Sequence, residues 1–506
     1  MIKSESYKKG IVVSTVLNIF TKGIGFLNTL VIAFYFGANT GTDIYFFVIS
    51  IAILITTGMI NGIDSIILIP QAMKLREQAG EAESRLFLNF FIFLYILIGV
   101  VIFLITIVSP ALFYGTFSKF PPGILEQHKY LLYAGSVLVF FQLINNFLGA
   151  ILTSYKYFSI TILTSLITSL VSIIVTIFFH ERLGITGTLA AVAISYSFNF
   201  LFLIILMKSR LKWEFSRFKL VKDKHIWGTI GLMQMNILPV WLRNYVTLFL
   251  ISGLGVGIVS SINLAQQAAG IIDNLIIAQV LSVAGIKFNE LYAKMDIKTL
   301  NELFIKVANF LLMLLMPVVL ITFIYSNNIA ALIFKRGNMT ASALETVALC
   351  LKYLILLSPL MLINSICTRI FSATQVIRQG LIYSMIAHII FLLLTIILIN
   401  LLQLKGYLYS MLAGYAVLIF LFYRLFKVKL NQIDFVMVLK YGVKQVFVNL
   451  IIALPVFFIL KNLSGINYII LLFIACFIQV LIIGIINRKQ LQFSRITDVL
   501  YGPRKK

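Results

Sequence analysis

The stretch GFLNTLVIAFYFGANTGTDIYFF (Gly25–Phe47) decides how the chain is read. Two apolar runs meet at a small-residue turn, and each run continues beyond the quotation. A helix that crosses a bilayer needs about 20 mostly apolar residues, which both runs supply. Charges are scarce here, yet Lys22 sits just before the stretch and Asp43 opens the second run. These two are either interfacial helix ends or side chains facing a polar path through the membrane.

Composition extends this to the whole chain. Hydrophobic residues make up 61% and charged residues 11%, with a mean hydropathy of +1.03. Soluble domains average roughly 45–50% apolar and about 25% charged residues. Cys350, Cys367 and Cys476 all fall inside apolar runs without CxxC spacing, so they are expected as small core residues rather than disulfides or metal ligands. A net charge of +24 raises the possibility of nucleic acid as a partner. No basic, aromatic-interleaved domain stands outside the apolar runs, which argues against it. The positive charge instead follows the positive-inside rule.

Apolar runs predict about fourteen spans, near 10–36, 42–69, 86–112, 130–152, 158–180, 184–207, 227–252, 256–285, 302–326, 344–370, 380–402, 405–426, 442–460 and 467–487. With this parse, 29 of the 41 Lys and Arg fall in loops on the side of the N-terminus and 7 on the other. That bias places both termini in the cytoplasm. The expected fold is all-α: a polytopic membrane protein of two pseudo-symmetric six-helix bundles plus two C-terminal helices. The halves are 1–207 and 227–426, joined by a basic linker, 208–226, and followed by 427–506 with the last two helices and a basic tail. At an offset of 216, Gly37 falls on Gly253 and Ala52 on Ala268, and GAILTSYKYFS (149–159) has a weaker echo in CTRIFSATQVIR (367–378). Six helices per repeat is an even number, so the halves share one orientation. The linker is expected as a solvated loop, with Trp213, Phe215 and Phe218 at the headgroup level.

Short motifs then recur in order. They are Thr21-Lys22-x-x-Gly25-Phe26, Phe36-Gly37-Ala38, Thr42-Asp43-x-x-Phe46 and Asn61-Gly62 with Pro70 downstream. In the second half come Gly257-x-Val259-Ser260, Ala265-Gln266-Gln267, Leu332-Ile333-Phe334-x-Arg336-Gly337-x-x-Thr340, Tyr353 and Phe371-Ser372-Ala373-x-Gln375. The chain thereby resembles the MviN/MurJ family of lipid-linked precursor flippases, within the multidrug/oligosaccharidyl-lipid/polysaccharide (MOP) superfamily. The resemblance implies a V-shaped pair of six-helix bundles around a cavity, with basic side chains that attract a lipid-linked pyrophosphate. It carries one basic position over as Lys22. The resemblance puts the family's other arginines at Asn28 and near Thr56, and its Asp-Arg pair on the eighth helix at Gln266-Gln267. Lysine offers a compact point charge and cannot clamp phosphate bidentately as arginine does. The cargo implied is therefore an undecaprenyl-diphosphate-linked oligosaccharide or cell-wall precursor, with lipid II proper as the alternative.

Ionisable residues within spans are functional candidates by default. Lys22, Asn28, Arg243, Gln266 and Gln267 are the expected substrate-binding set, with Asn236, Asn244, Asn263 and Asn274 extending the polar sides of spans seven and eight. Asp43, Asp64 and Asp273 are candidates for ion coupling or charge pairing, and Asp43 also suits the dipole of its own helix start. Arg369, Lys352 and Lys306 lie nearer span ends, where snorkelling is expected. No catalytic or metal constellation and no Walker motif is present, so the chain is expected not to be an enzyme and to need no cofactor beyond a coupling cation. Its partners are expected to be membrane lipids, the lipid-linked glycan and glycan-synthesis enzymes, in a bacterial cytoplasmic membrane. A cation-coupled multidrug antiporter and a non-transporting scaffold for glycan synthesis are the competing functions.

Overall fold

A computed structural model describes residues 7–60, 62–271, 273 and 277–461, with isolated positions at 474, 477, 478 and 482. Asn61, Asn274, Cys476 and most of the expected fourteenth span lie outside the described residues. All regular structure among the described residues is helical. Lipid offers no partner to backbone N–H and C=O groups, and a helix satisfies them within one segment.

Contacts divide the chain into two compact units, 1–260 and 261–506. The first holds α1 (Tyr7–Phe36), α2 (Thr40–Ile60), α3 (Ile69–Ala79), α4 (Glu81–Val108), α5 (Pro110–Thr116), α6 (Pro122–Gln127), α7 (Lys129–Ser154), α8 (Phe158–Leu211) and α9 (Lys224–Ile251). Helix α10 (Ile258–Ala269) starts at its end. The second unit continues with α11 (Ala278–Ala293), α12 (Ile297–Ile324), α13 (Ser326–Phe334), α14 (Ala341–Leu354), α15 (Leu357–Ala373), α16 (Ile377–Lys429) and α17 (Phe435–Lys461).

Eight of these helices are long and apolar enough to cross a membrane, or nine if the bent pair α14–α15 is one span. The chain is a multi-pass membrane protein. Helices α8 and α16, at 54 and 53 residues, each exceed one span. At about 1.5 Å per residue they would be about 80 Å long, against roughly 30 Å of hydrocarbon. Each breaks instead, at Gly184 (φ 56°, ψ −159°) and at Gln403 (φ 51°, ψ −126°). The chain then folds back on itself: Thr176 and Thr188 hydroxyls meet at 2.9 Å across the first break. Across the second, Thr395 donates to Ser410 at 3.4 Å.

These features make the internal repeat visible. Helices α4 and α12 have 28 residues each and start 216 positions apart. Later in each half the offset becomes 219: left-handed Lys156 pairs with Gln375, and the break at Gly184 with that at Gln403. The expected second span, 42–69, is not one continuous α-helix. A π-helical turn, Asp64–Leu68, interrupts it before the amphipathic α3. The expected eighth span is interrupted likewise, with π-helical geometry at Asp273 and Ile277. An aspartate, Asp64 or Asp273, therefore has π-helical geometry in both halves.

The basic linker keeps its lysines and arginines exposed but is anchored to the first unit at Trp213. Trp213 is only 3% exposed, and its Nε1 donates to Asn89 Oδ1 at 2.7 Å. The Asn89 amide in turn donates to the carbonyls of Glu214 and Arg217, and Phe218 stacks on Phe93 with centroids 5.1 Å apart. Asn89 lies inside the apolar α4, so only the folded unit reveals that the linker is its partner. Helix α9 packs with the first unit too. Its Trp241 lies over Gly58 of α2, where a Cβ would come within 2.6 Å of the indole, and Trp241 Nε1 donates to Leu54 O at 3.1 Å.

Candidate functional site

Lys22 is exposed on α1. The large apolar residues exposed on that helix include Val16, Phe20, Leu27 and Phe34, which fall on one stripe at about 100° per residue. The same rotation puts Lys22 on the opposite side, on an arc with Asn18, Thr21, Gly25 and Thr29. A lysine that snorkels from a lipid-facing stripe would not lie there. Lys22 forms no ion pair among the described residues. Asn28 flanks this arc, and its Oδ1 is buried without a hydrogen-bond partner, as is the Thr21 hydroxyl.

Arg243 is half-buried on α9, one heptad from Asn236 and on the side away from Trp241. Its guanidinium donates to Asn244 Oδ1, at 2.6 Å from Nη2 and 3.2 Å from Nε. Thr56, at a position where the resemblance implies a basic residue, is buried. Its hydroxyl donates to Ala52 O at 2.8 Å. In the second unit Gln266 and Gln267 are exposed, and Gln266 Nε2 donates to Tyr407 Oη at 2.9 Å.

The three aspartates occupy three environments. Asp43 is 1% exposed and does not serve its own helix start, which Asn39 and Thr42 cap reciprocally. Its carboxylate accepts from Gly257 N–H at 2.5 Å, Ser260 N–H at 2.7 Å and Ser260 Oγ at 2.7 Å. Asp43 thus caps the N-terminus of α10, where free amides and the helix dipole favour a negative charge. Gly257 completes the joint, since it has φ 79° and a Cβ there would lie 2.9 Å from Ala38 O. Asp273 accepts from Ser358 Oγ at 3.1 Å, while its Oδ1 is buried without a partner. Asp64 lines a cavity of about 480 Å³ inside the first unit, with Asn145, Thr164, Thr168 and Asn199 among its walls. A second cavity of about 490 Å³, mostly apolar, lies beside Gly58 and Trp241.

Sequence reasoning missed the polar cavity. Its signal is nonetheless present, because Thr161, Thr164, Ser165 and Thr168 recur at helical spacing along one stripe of α8. Beside it, one end of the unit is held by a charge cluster. Glu81 pairs with Arg76 at 3.1 Å and Arg85 at 3.0 Å, and Tyr155 donates to the same carboxylate. Burial and that neighbouring carboxylate push the Tyr155 phenol up to about 12.

Comparison with known proteins follows the same lines. The sequence profile of the lipid II flippase MurJ family matches residues 32–478. A curated relative, the probable lipid II flippase MurJ of Buchnera aphidicola subsp. Baizongia pistaciae, is 24% identical over 352 residues. That match spans 66% of each chain, just under two thirds of the relative's own length. Among solved structures, a lipid II flippase MurJ in an inward closed conformation superposes with a TM-score of 0.77 at 20% identity, covering 95% of this chain and 100% of that one. An inward-facing multidrug-resistance MATE transporter of the MOP superfamily gives 0.55 at 16% identity, over 85% of this chain and 98% of that one. A MOP transporter from Pyrococcus furiosus gives 0.57 at 16%, over 82% and 94%. At these identities the structures share the fold alone. The family profile, running through most of both repeats and the ordered motifs from Phe36-Gly37-Ala38 onward, is the deciding match: the chain belongs to the lipid II flippase MurJ family.

Proposed function

We propose that this chain translocates an undecaprenyl-diphosphate-linked glycan from the inner to the outer leaflet of a bacterial cytoplasmic membrane, with both termini in the cytoplasm. Membership of a lipid-linked precursor flippase family supports the activity class. The observation that carries the mechanism is the placement of Lys22 on a polar arc opposite the apolar stripe of α1. A charge at mid-bilayer costs on the order of 2.5–3.5 kcal/mol on insertion scales, so a polar path is the favourable place for it. In this mechanism Lys22 attracts the anionic head group and Arg243 is the second contact, while the isoprenoid tail stays in lipid. Alternating exposure of the head then delivers it outside. A potential positive outside contributes about 2.3 kcal/mol per charge per 100 mV.

The work is translocation, with no bond made or broken. Glycan-synthesis enzymes are its expected neighbours, supplying cargo on one side and consuming it on the other. Lipid II is the second reading, favoured by the family profile. An oligosaccharide cargo is favoured by the neutral residues Asn28, Thr56 and Gln267 at or near positions where the family resemblance implies cations. Export of the linked glycan from spheroplasts carrying Lys22→Ala and Arg243→Ala tests the mechanism. Both variants should lose export, and Lys22→Arg should retain it. Unchanged export in both alanine variants refutes an anion-attracting path.

A further inference from the structure

Basic residues are scarce on the side away from the N-terminus, where the charge bias leaves 7 of 41. One corner of the second unit nonetheless gathers two lysines there. Lys352 and Tyr353 occupy the last turn of α14, just before the bend into α15. Lys405 and Tyr409 lie one turn apart on the returning half of α16, directly after its break at Gln403. The Tyr353 and Tyr409 rings meet edge to face with centroids 5.4 Å apart, and both lysines are close enough to act on the Tyr409 hydroxyl. Lys352 Nζ also lies 5.1 Å from the ring centroid of Phe323, near the end of α12. Neither lysine forms an ion pair among the described residues. Glu345, the one acid of α14, is a heptad away from Lys352 and pairs with neither. The dipole of α14 favours a cation in its last turn, which accounts for Lys352 alone. Lys405 stands in a first turn, where the dipole opposes a cation. At the offset of 219 the first half carries Tyr133, Ala134, Thr186 and Ala190, so the shared fold does not require the cluster.

We propose that Lys352, Tyr353, Lys405 and Tyr409 form an outward phosphate site that receives the diphosphate head of the cargo before release, an inference that rests on the translocation reading above. An ammonium group has three donors and no acceptor. Two phenols facing each other can place only one proton between them, so the second is left to donate outward. The bonding capacity on offer is therefore donors around two positive charges, which suits phosphoryl oxygens and repels a cation. A diphosphate brings two charged phosphoryl groups to the two lysines, whereas a phospholipid phosphate brings one. Lysine acts as a point charge without the bidentate grip of arginine, and exposed ion pairs are worth about 0–1 kcal/mol each. Lys405 is exposed, Lys352 half-buried, and Tyr409 is 37% exposed, so the head group is held loosely and departs without a large barrier.

Acetylation of the purified full-length protein in detergent by sulfo-N-hydroxysuccinimide acetate, read lysine by lysine by mass spectrometry, tests the site without transport. Inorganic pyrophosphate should slow Lys352 and Lys405 by about threefold or more, and the effect should fade as salt is raised. Lys335, an exposed lysine of the same unit, should react at an unchanged rate. Tyr353→Phe combined with Tyr409→Phe should remove most of the protection, and Lys405→Gln, at an exposed position, should weaken that of Lys352. Phosphatidylglycerol in mixed micelles at the same phosphate concentration should slow neither lysine by more than about 1.5-fold. No protection by pyrophosphate, equal protection at Lys335, or equal protection by phosphatidylglycerol each overturns the assignment. Protection undiminished in both variants does so too. Because no cargo moves in this measurement, absence of protection strikes the site and leaves the export result for Lys22→Ala standing, while unchanged export in that variant strikes the anion-attracting path and leaves the protection intact.

Discussion

Replacing Asp43 by alanine removes the acceptor for Gly257 N–H, Ser260 N–H and Ser260 Oγ at once. The hydroxyl has a second outlet, because it also reaches Gly257 O at 3.1 Å. The two backbone amides belong to buried residues at a helix start and have no alternative carbonyl in the preceding turn. Leaving a buried donor unpaired costs about 1–3 kcal/mol each, so Asp43→Ala should destabilise this joint by about 2–6 kcal/mol. At 1.4 kcal/mol per factor of ten, local opening becomes roughly thirty-fold to twenty-thousand-fold more frequent.

Hydrogen–deuterium exchange resolved on peptides across 254–264 reads that opening directly, since protection reports the free energy of local unfolding. Gly257 and Ser260 should lose protection in Asp43→Ala, with the first turn of α10 following. Ser260→Ala keeps both amide bonds and loses only the hydroxyl, one hydrogen bond to a charged group worth about 1.5–3 kcal/mol, so its exchange should rise about tenfold to a hundredfold and stay below that of Asp43→Ala. Asp43→Asn keeps the shape but turns an NH₂ group toward one amide, and should fall between the two. Native-like protection in Asp43→Ala would refute the capping role.

Gly58→Val should push Trp241 off α2 and break its bond to Leu54 O, costing about 1–3 kcal/mol as an overpacked contact; a lower unfolding temperature with a red-shifted tryptophan emission checks it. Trp213→Ala should cost about 3–5 kcal/mol, far more than a change in a solvated linker, and proteolysis between 208 and 226 should accelerate. Gln403→Gly should stabilise the second unit by about 1 kcal/mol, because a non-glycine residue at φ 51°, ψ −126° pays a backbone strain that glycine does not; an unchanged or lower unfolding temperature would count against it.

Much of the architecture was legible in the order of residues alone. A helix in lipid must carry an apolar surface of fixed length, so the spans, the repeat near 216 residues and the family motifs all show in one dimension. Lys22 was legible as well, because a single charge in the middle of an apolar run has few inexpensive positions. What remained hidden depends on partners distant in sequence. Asp43 meets amides more than 210 positions away, and nothing near residue 43 announces a second helix start. Trp213 read as an interfacial ring until the folded unit supplied Asn89 as its partner. The cavity around Asp64 is walled by residues of α2, α7 and α8, which only packing brings together. Composition and hydropathy therefore determined that the chain is helical and crosses the membrane more than once. Tertiary packing alone decided which of its few polar groups still have bonding capacity to offer.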